Sequence, residues 1–182
     1  MTFSKLCTCE RFAGDCRGAS AIEFALLLPL MLTVYIGGSE LAYGLSAQFK
    51  ATLAARTVAD LASQYISIDN PTMTGILGAA SKVVAPFPTS KLVVIVSEVT
   101  TDANGKGTIT WSAALNATPH PVGTAVMLPA QLQNPNVAMI LGEVTYPYTP
   151  PVSYEITGTF NIYQNAYFFP RRISCVTYNS VC

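Results

Sequence analysis

Residues 16–38 read CRGASAIEFALLLPLMLTVYIGG and contain an apolar run suited to a membrane. Residues 24–39 carry no charge over sixteen positions, and counting from Ala19 gives twenty-one positions interrupted only by Glu23. As a helix, this segment can span about 30 Å of hydrocarbon. An acid inside such a segment costs about 2.5–3.5 kcal/mol even on lenient insertion scales, so Glu23 needs a partner or a task.

Charge around the apolar run predicts its orientation in a membrane. Before the run come Lys5, Arg11 and Arg17, set against Glu10 and Asp15, and the next cation is Lys50. A cationic flank stays on the cytoplasmic side, so we predict a cytoplasmic N-terminus and export of the remainder. The membrane is therefore a predicted partner.

Three interpretations fit the length of this segment. A secretory signal peptide would be cut after Gly44, and an uncleaved signal anchor would keep the whole N-terminus. Both interpretations leave Glu23 without a role. In the third, the chain is cut after Gly18, a short charged leader is removed, and Glu23 becomes the fifth residue of a helix that starts inside the membrane.

The residues on either side of Gly18 resemble the cleavage region of a type IV prepilin, with Arg-Gly before the cut and ASAIEF after it. Residues 17–44 resemble the TadE-like minor pilins of the tight-adherence (Tad/Flp) pilus. Mature segments in that family begin with small residues, then Glu-Phe, then a Leu-rich run containing proline. The resemblance implies that a prepilin peptidase cuts between Gly18 and Ala19 on the cytoplasmic face.

The resemblance also gives Glu23 a chemical role. Cleavage would free the α-amine of Ala19, which is cationic at neutral pH, at a helix N-terminus that already carries partial positive charge. Glu23, one turn along or on a neighbouring subunit, can compensate that charge. Because an unpaired charge in low dielectric costs several kcal/mol, the pair would set the axial register between helices.

A helical pattern continues beyond the apolar run. Apolar residues recur at spacings of three and four, with polar residues largely between them. These positions are Leu41, Leu45, Phe49, Leu53, Ala54, Val58, Leu61, Tyr65 and Ile68. We therefore predict a helix over residues 19–68, with a membrane-spanning half over about 19–39 and a second half that packs under a globular domain. The Asp-Asn-Pro triplet at residues 69–71 ends the helix.

Residues 69–182 are predicted to form an exported α+β domain. A shorter helix over residues 72–84 precedes the β-branched segment KLVVIVSEVT, an Asn-Gly turn and an alternating segment. Strand character returns at residues 137–148 and, less regularly, over 154–173. The predicted fold class is α+β and pilin-like, a long N-terminal helix packed on an antiparallel sheet of about four strands.

The five cysteines divide at the implied cleavage site. Cys7, Cys9 and Cys16 stay with the leader, whereas Cys175 and Cys182 are exported. Two cysteines in an oxidising compartment predict a disulfide, worth about 2.5 kcal/mol by the loop-entropy model. The three leader thiols lack a nearby histidine and are one ligand short of a structural zinc site, so no metal is predicted.

Composition and motifs exclude several other functions. The formal net charge is zero and no segment interleaves Lys or Arg with aromatics, so nucleic acid is not a predicted partner. His120 is the only histidine, it has no acid or cysteine close in sequence, and we predict that it is solvated. No exported acids form a close pair suited to acid–base work. We therefore predict no enzyme, no catalytic residue and no cofactor.

Aromatic rings concentrate in the C-terminal part of the chain. We predict that most of them fill the sheet core, the alternative being a surface that binds carbohydrate. The rings belong to Tyr146, Tyr148, Tyr154, Phe160, Tyr163, Tyr167, Phe168 and Phe169.

The predicted function is structural. The chain would be a minor pilin or pseudopilin, processed by a prepilin peptidase, that takes part in assembly or priming of a Tad/Flp-type pilus for surface adherence. Implied partners are the peptidase, the pilus assembly platform proteins of the bacterial inner membrane, a sister minor pilin and the major pilin. The predicted location is that membrane, as a single-pass protein with a periplasmic domain, or the surface pilus. Two alternatives remain, a type II secretion pseudopilin and an exported or anchored protein that binds carbohydrate or a surface.

Overall fold

The computed structural model describes residues 19–152 and 158–182. The predicted leader, including Gly18, therefore lies outside the described residues, as does Tyr154. The chain forms two compact units, Met1–Ala42 and Tyr43–Cys182, and we call the second the head unit.

Helix α1 (Ala19–Ser63) supplies all of the first unit that the structure describes. The side chains of residues 21–38 are exposed, and these include leucine, isoleucine, phenylalanine and methionine. A helix that is apolar on every side needs lipid or protein around it. By length and composition α1 can cross a membrane, as predicted.

A five-stranded antiparallel sheet forms the centre of the head unit, in the order β4-β3-β2-β5-β6. Its strands are β2 (Val93–Thr101), β3 (Gly107–Leu115), β4 (Ala125–Val126), β5 (Ala138–Tyr148) and β6 (Phe160–Phe168). Strand β1 (Ser67–Ile68) belongs to a separate two-stranded sheet. The predicted α+β class is confirmed. The sheet has one strand more than predicted, because two residues of the loop after β3 pair with its edge.

Local signals placed the first hairpin correctly. Strands β2 and β3 are joined through a turn in which Gly105 has a positive φ of 76°, the conformation that an Asn-Gly turn requires. Along β3, Ile109, Trp111 and Ala113 are buried while Thr108 and Ser112 are partly exposed, as alternation predicted.

The two faces of the sheet carry separate apolar clusters. Along β5, Ile140 and Val144 belong to the larger cluster, which includes the buried residues of α1. Met139 and Leu141 point the other way and pack with Leu128 of the loop after β3. The sheet is therefore covered on both sides over part of its length.

Helix α1 contacts the sheet mainly through alanines, which corrects part of the predicted stripe, although Ala54 and Val58 are buried as predicted. The large side chains of Leu45, Phe49 and Leu53 are exposed. The buried positions are Ala47, Ala51, Ala54, Ala55, Val58, Ala59 and Ala62. The spacing of apolar residues correctly predicted an amphipathic helix. Which face is buried was decided by how closely the helix backbone approaches the sheet.

The end of α1 is also earlier than predicted, at Ser63 instead of residue 68. The carbonyl of Ser63 accepts the backbone N–H of Arg171 at 2.9 Å, so a distant segment satisfies the last turn. Strand β1 (Ser67–Ile68) then pairs in parallel with β7 (Thr177–Tyr178). Pairing with the C-terminal segment therefore replaces the last predicted turn of helix.

Helix α2 (Asn70–Val84) begins at the predicted Asp-Asn-Pro boundary. The carboxylate of Asp69 accepts the N–H of Thr72 at 2.9 Å, and a proline occupies the first turn, where its missing N–H costs nothing. The tyrosine hydroxyl of Tyr178 and the amide of Asn179 both donate to Asn70 Oδ1. These bonds hold the C-terminal segment against the start of α2.

Candidate assembly helix and head clusters

Glu23 is the predicted assembly residue, and it lies on an exposed helical surface one turn after Ala19. Ala19 is the first residue of α1, and no other acid or base occurs between it and residue 39. Gly18, the predicted cleavage residue, is outside the described residues. The described geometry thus has an isolated acid within an apolar helix, next to a helix N-terminus.

Glu98 forms a buried polar cluster that sequence analysis missed. It has no exposed surface, and it lies at an irregularity in the β2–β3 register, opposite Trp111 and Ile140. Its Oε1 accepts the backbone N–H of Val176 at 2.7 Å, and the indole N–H of Trp111 donates to the Val176 carbonyl at 2.7 Å. The carboxyl and the indole thus hold the backbone of Val176 through both its N–H and its carbonyl.

Cys175, next to that peptide, is joined by a disulfide to Cys182, with 6.1 Å between their Cα atoms. The Sγ atom of Cys175 lies 3.1 Å from Glu98 Oε2. Burial raises the pKa of Glu98 to about 7, against the opposing effect of the hydrogen bond from the N–H of Val176. No local pattern marked this acid, because its partners are more than 70 residues away in sequence.

The raised pKa of Glu98 predicts a stability that falls as pH rises. The folded chain holds the proton up to about pH 7, whereas an unfolded chain releases it near the ordinary value of 4.5. The contribution is therefore full below pH 4.5 and is lost through pH 7. Glu98→Gln copies the protonated form, so its free energy of unfolding should equal wild type at pH 4 and exceed it at pH 8 by about 2 kcal/mol, discounted for solvent screening.

Urea unfolding of the full chain in detergent, followed by fluorescence of Trp111, the sole tryptophan, measures this difference. Glu143→Gln is the control, since Glu143 lies on the same sheet and is not part of the Glu98 cluster. A constant offset between Glu98→Gln and wild type from pH 4 to pH 8 would contradict the assignment.

His120 is partly exposed and also has an acidic partner, which the sequence did not indicate. Its Nε2 lies 2.7 Å from Glu143 Oε2, and the hydroxyl of Tyr163 donates to Glu143 Oε1 at 2.6 Å. The backbone N–H of His120 donates to Ser112 Oγ at 3.1 Å. Burial and the Glu143 carboxylate raise the pKa of Tyr163 to about 12. The cluster joins the loop after β3 to β5 and β6.

An aromatic groove of about 480 Å³ lies in the head unit beside the end of β5. The rings of Tyr43, Phe87, Tyr146 and Tyr148 line it, together with prolines and Lys91. The ring centroid of Phe87 is 6.0 Å from that of Tyr146 and 6.4 Å from that of Tyr148. These contacts are typical of ring packing in a core.

The predicted core role of the aromatic residues is confirmed for some of them. Tyr146 and Tyr148 are 6% and 4% exposed. Phe160, Tyr163 and Phe169 are about half exposed. The C-terminal rings are therefore divided between the core and the surface.

Comparison with known proteins identifies the N-terminal segment. Residues 18–60 match the family model of TadE-like proteins, 43 of the 182 residues of the chain. The matched segment includes Gly18, Ala19 and Glu23 and most of α1. No curated protein and no solved structure matches the chain. The resemblance predicted from residues 17–44 is thereby confirmed, and residues 18–60 of this chain are similar to the TadE-like family.

Proposed function

We propose that this protein is a minor pilin or pseudopilin of a Tad/Flp-type pilus, processed after Gly18, that takes part in assembly or priming of the fibre. The observation that carries the proposal is the TadE-like match, which begins at Gly18 and runs through Glu23 into the apolar helix. The family is of a structural type, so the proposed role is to hold and position other subunits. In this proposal a prepilin peptidase is the first partner.

The exposed apolar surface of the first unit supports membrane insertion before assembly. Residues 21–38 expose their side chains on all sides of α1, and burial in hydrocarbon would stabilise them by about 25 cal/mol per Å². The cations before the run orient the N-terminus towards the cytoplasm. The proposed location is therefore the bacterial inner membrane, with the head unit in the periplasm, and later the surface pilus.

A ridge of large apolar side chains in the head unit supports side-by-side packing with other subunits. Leu45, Phe49 and Leu53 are spaced by four residues and are 47%, 73% and 52% exposed. Residues at this spacing form the ridges that pack into grooves of a neighbouring helix. Because the charged residues Lys50 and Arg56 flank the ridge, burying it in hydrocarbon would be costly, and contact with protein suits it better. The assembly platform, a sister minor pilin and the major pilin are the proposed partners.

Glu23 would then set the register between subunits. After cleavage, the ammonium of Ala19 and the carboxylate of Glu23 are opposite charges in a low-dielectric environment, and each lacks another charged neighbour within the apolar run. Pairing between subunits would fix the axial position of one helix against the next. In any other register the ammonium and the carboxylate would lie unpaired in low dielectric, which is unfavourable.

Mapping the N-terminus of the protein tests this proposal. Protein is recovered from membranes and from sheared surface fibres and analysed by intact mass and peptide sequencing, in wild type, Gly18→Ala and Gly14→Ala. We expect a start at Ala19 in wild type and in Gly14→Ala, the matched leader control. In Gly18→Ala we expect a chain that keeps its leader and is absent from the fibres.

Each other N-terminus contradicts the proposal in a specific way. An intact Met1 in wild type would indicate a plain membrane anchor. A start near Leu45 would indicate an exported protein without the apolar run, and the aromatic groove beside Phe87 would then favour a head that binds carbohydrate. Co-purification with type II secretion subunits instead of Tad subunits would assign the chain to that system.

A further inference from the structure

The Glu98 cluster places a buried acid directly against sulfur. A carboxylate oxygen of Glu98 and the Sγ atoms of Cys175 and Cys182 all lie within 4.8 Å of one another. Oε2 faces Cys175 Sγ at 3.1 Å, while Oε1 is held by the N–H of Val176. The side chain of Glu98 is therefore anchored through one oxygen and presents the other to the sulfur.

The two sulfurs differ in accessibility. Cys182 is exposed, whereas Cys175 is partly buried beside Glu98. An external thiol or disulfide therefore reaches Cys182 first. Cys175 is then left to react at its partly buried position, where Glu98 Oε2 lies 3.1 Å from its sulfur.

We propose that Glu98 is the general base that accepts the thiol proton of Cys175 when the Cys175–Cys182 disulfide forms, and the general acid that returns it when the disulfide is reduced. This inference goes beyond the proposed pilus function and does not rest on it. Glu98 contacts the reacting sulfur, so it acts on the chemical step itself.

The step balances with a disulfide as oxidant, for example oxidised glutathione. The thiolate of Cys182 first attacks the oxidant, releases one glutathione thiolate and forms a mixed disulfide. The thiol of Cys175 then gives its proton to Glu98 Oε2, and its sulfur attacks Cys182 Sγ. The bond between Cys182 and glutathione breaks, and the second glutathione leaves as a thiolate that takes a proton from water. The two cysteines lose two electrons, and the oxidant becomes two thiols.

The surroundings of Glu98 suit proton transfer near neutral pH. With a pKa of about 7, the carboxyl of Glu98 is a stronger base than an ordinary glutamate, and its pKa is closer to that of a thiol. Among the described His, Cys, Asp and Glu residues, the two cysteines of the disulfide have sulfur atoms within 4.8 Å of a Glu98 oxygen; its other neighbours are Trp111 from β3, Ile140 from β5 and Val176. Burial, not a nearby charge, is the main cause of the shift.

The test measures disulfide closure in the full chain in detergent, with Cys7, Cys9 and Cys16 replaced by serine. Reduced protein is mixed with oxidised glutathione, quenched by alkylation and analysed by mass spectrometry between pH 6 and pH 9. Conversion of the mixed disulfide at Cys182 should be about tenfold slower in Glu98→Gln than in wild type at pH 7. The difference should shrink towards pH 9, where the thiol ionises without a base.

Two comparisons separate a chemical role from a structural one. Glu143→Gln, an acid-to-amide change elsewhere on the sheet, should close at the wild-type rate. In concentrated urea, where the cluster is lost, wild type and Glu98→Gln should close equally fast. A Glu98→Gln rate equal to wild type at pH 7, or slower by one constant factor at every pH, overturns the proposal.

The proposal stays testable if Glu98→Gln does not fold. Reduction of the folded, oxidised wild-type protein by dithiothreitol then decides, because the leaving Cys175 sulfur needs the proton of Glu98. The reduction rate, divided by the concentration of dithiothreitol thiolate at each pH, should fall as pH rises through about 7, the pKa of Glu98. A corrected rate that is independent of pH would overturn the proposal.

Discussion

Replacing Gly142 by alanine should destabilise the head unit by about 2–3 kcal/mol. A methyl group at this position would lie 2.5 Å from the carbonyl oxygen of Ala55, 3.0 Å from the Cβ of Ala59 and 3.1 Å from a methyl of Val58. The nearest atom is backbone, so the helix itself must move away from the sheet. The loss is measured by urea unfolding of the full chain in detergent, followed by Trp111 fluorescence.

Gly75→Ala is the matched control for this change. A Cβ at Gly75 meets nothing within 4 Å, and the residue lies inside helix α2. Alanine there should leave stability unchanged or raise it by up to about 1 kcal/mol. The two glycine-to-alanine changes are therefore expected to have opposite signs. Equal stabilities for Gly142→Ala and wild type would show that α1 does not approach the sheet as closely as described.

Replacing Glu23 by glutamine should abolish surface pili while leaving processing intact. The amide keeps the size of the side chain but cannot neutralise an ammonium, and leaving one charge of a buried pair unpaired costs about 3–5 kcal/mol. A loss of that size in each subunit contact should remove detectable fibres. The measurement is immunoblotting of sheared surface fractions, with the N-terminus of the membrane-bound protein mapped in parallel.

Glu40→Gln is the control for Glu23→Gln, because it makes the same change on the same helix beyond residues 24–39. It should assemble at the wild-type level. Normal fibres from Glu23→Gln would remove the charge pair from the proposed assembly step. Loss of cleavage in Glu23→Gln would instead place this acid in recognition by the peptidase.

Part of the candidate site was predictable because its signals are local. The small residues after Gly18, the isolated Glu23 and the apolar run follow one another directly between residues 19 and 39, and they were enough to predict the TadE-like resemblance that the family match confirms. The disulfide between Cys175 and Cys182 was predicted from compartment alone, and the structure joins the same two residues.

The two head clusters could not be predicted in the same way. Glu98 and Cys175 are 77 residues apart, and His120 and Glu143 are 23 residues apart across a segment that contains the short strand β4. Neither separation matches one helical turn or a tight two-residue hairpin. Each acid appeared unpartnered in sequence because its partner comes from another strand or from the C-terminal segment.

The amino-acid sequence by itself indicated both helices, the longer strands and the segment that can enter a membrane, since caps, turns, alternation and apolar runs act over a few neighbouring residues. Only the tertiary structure decided which face of α1 is buried. The absence of a side chain at Gly142 lets the helix backbone approach β5, so alanines fill that contact and Leu45, Phe49 and Leu53 are left outside. Hydrophobicity favours burial of the larger residues, but close packing admits only the side chains that fit.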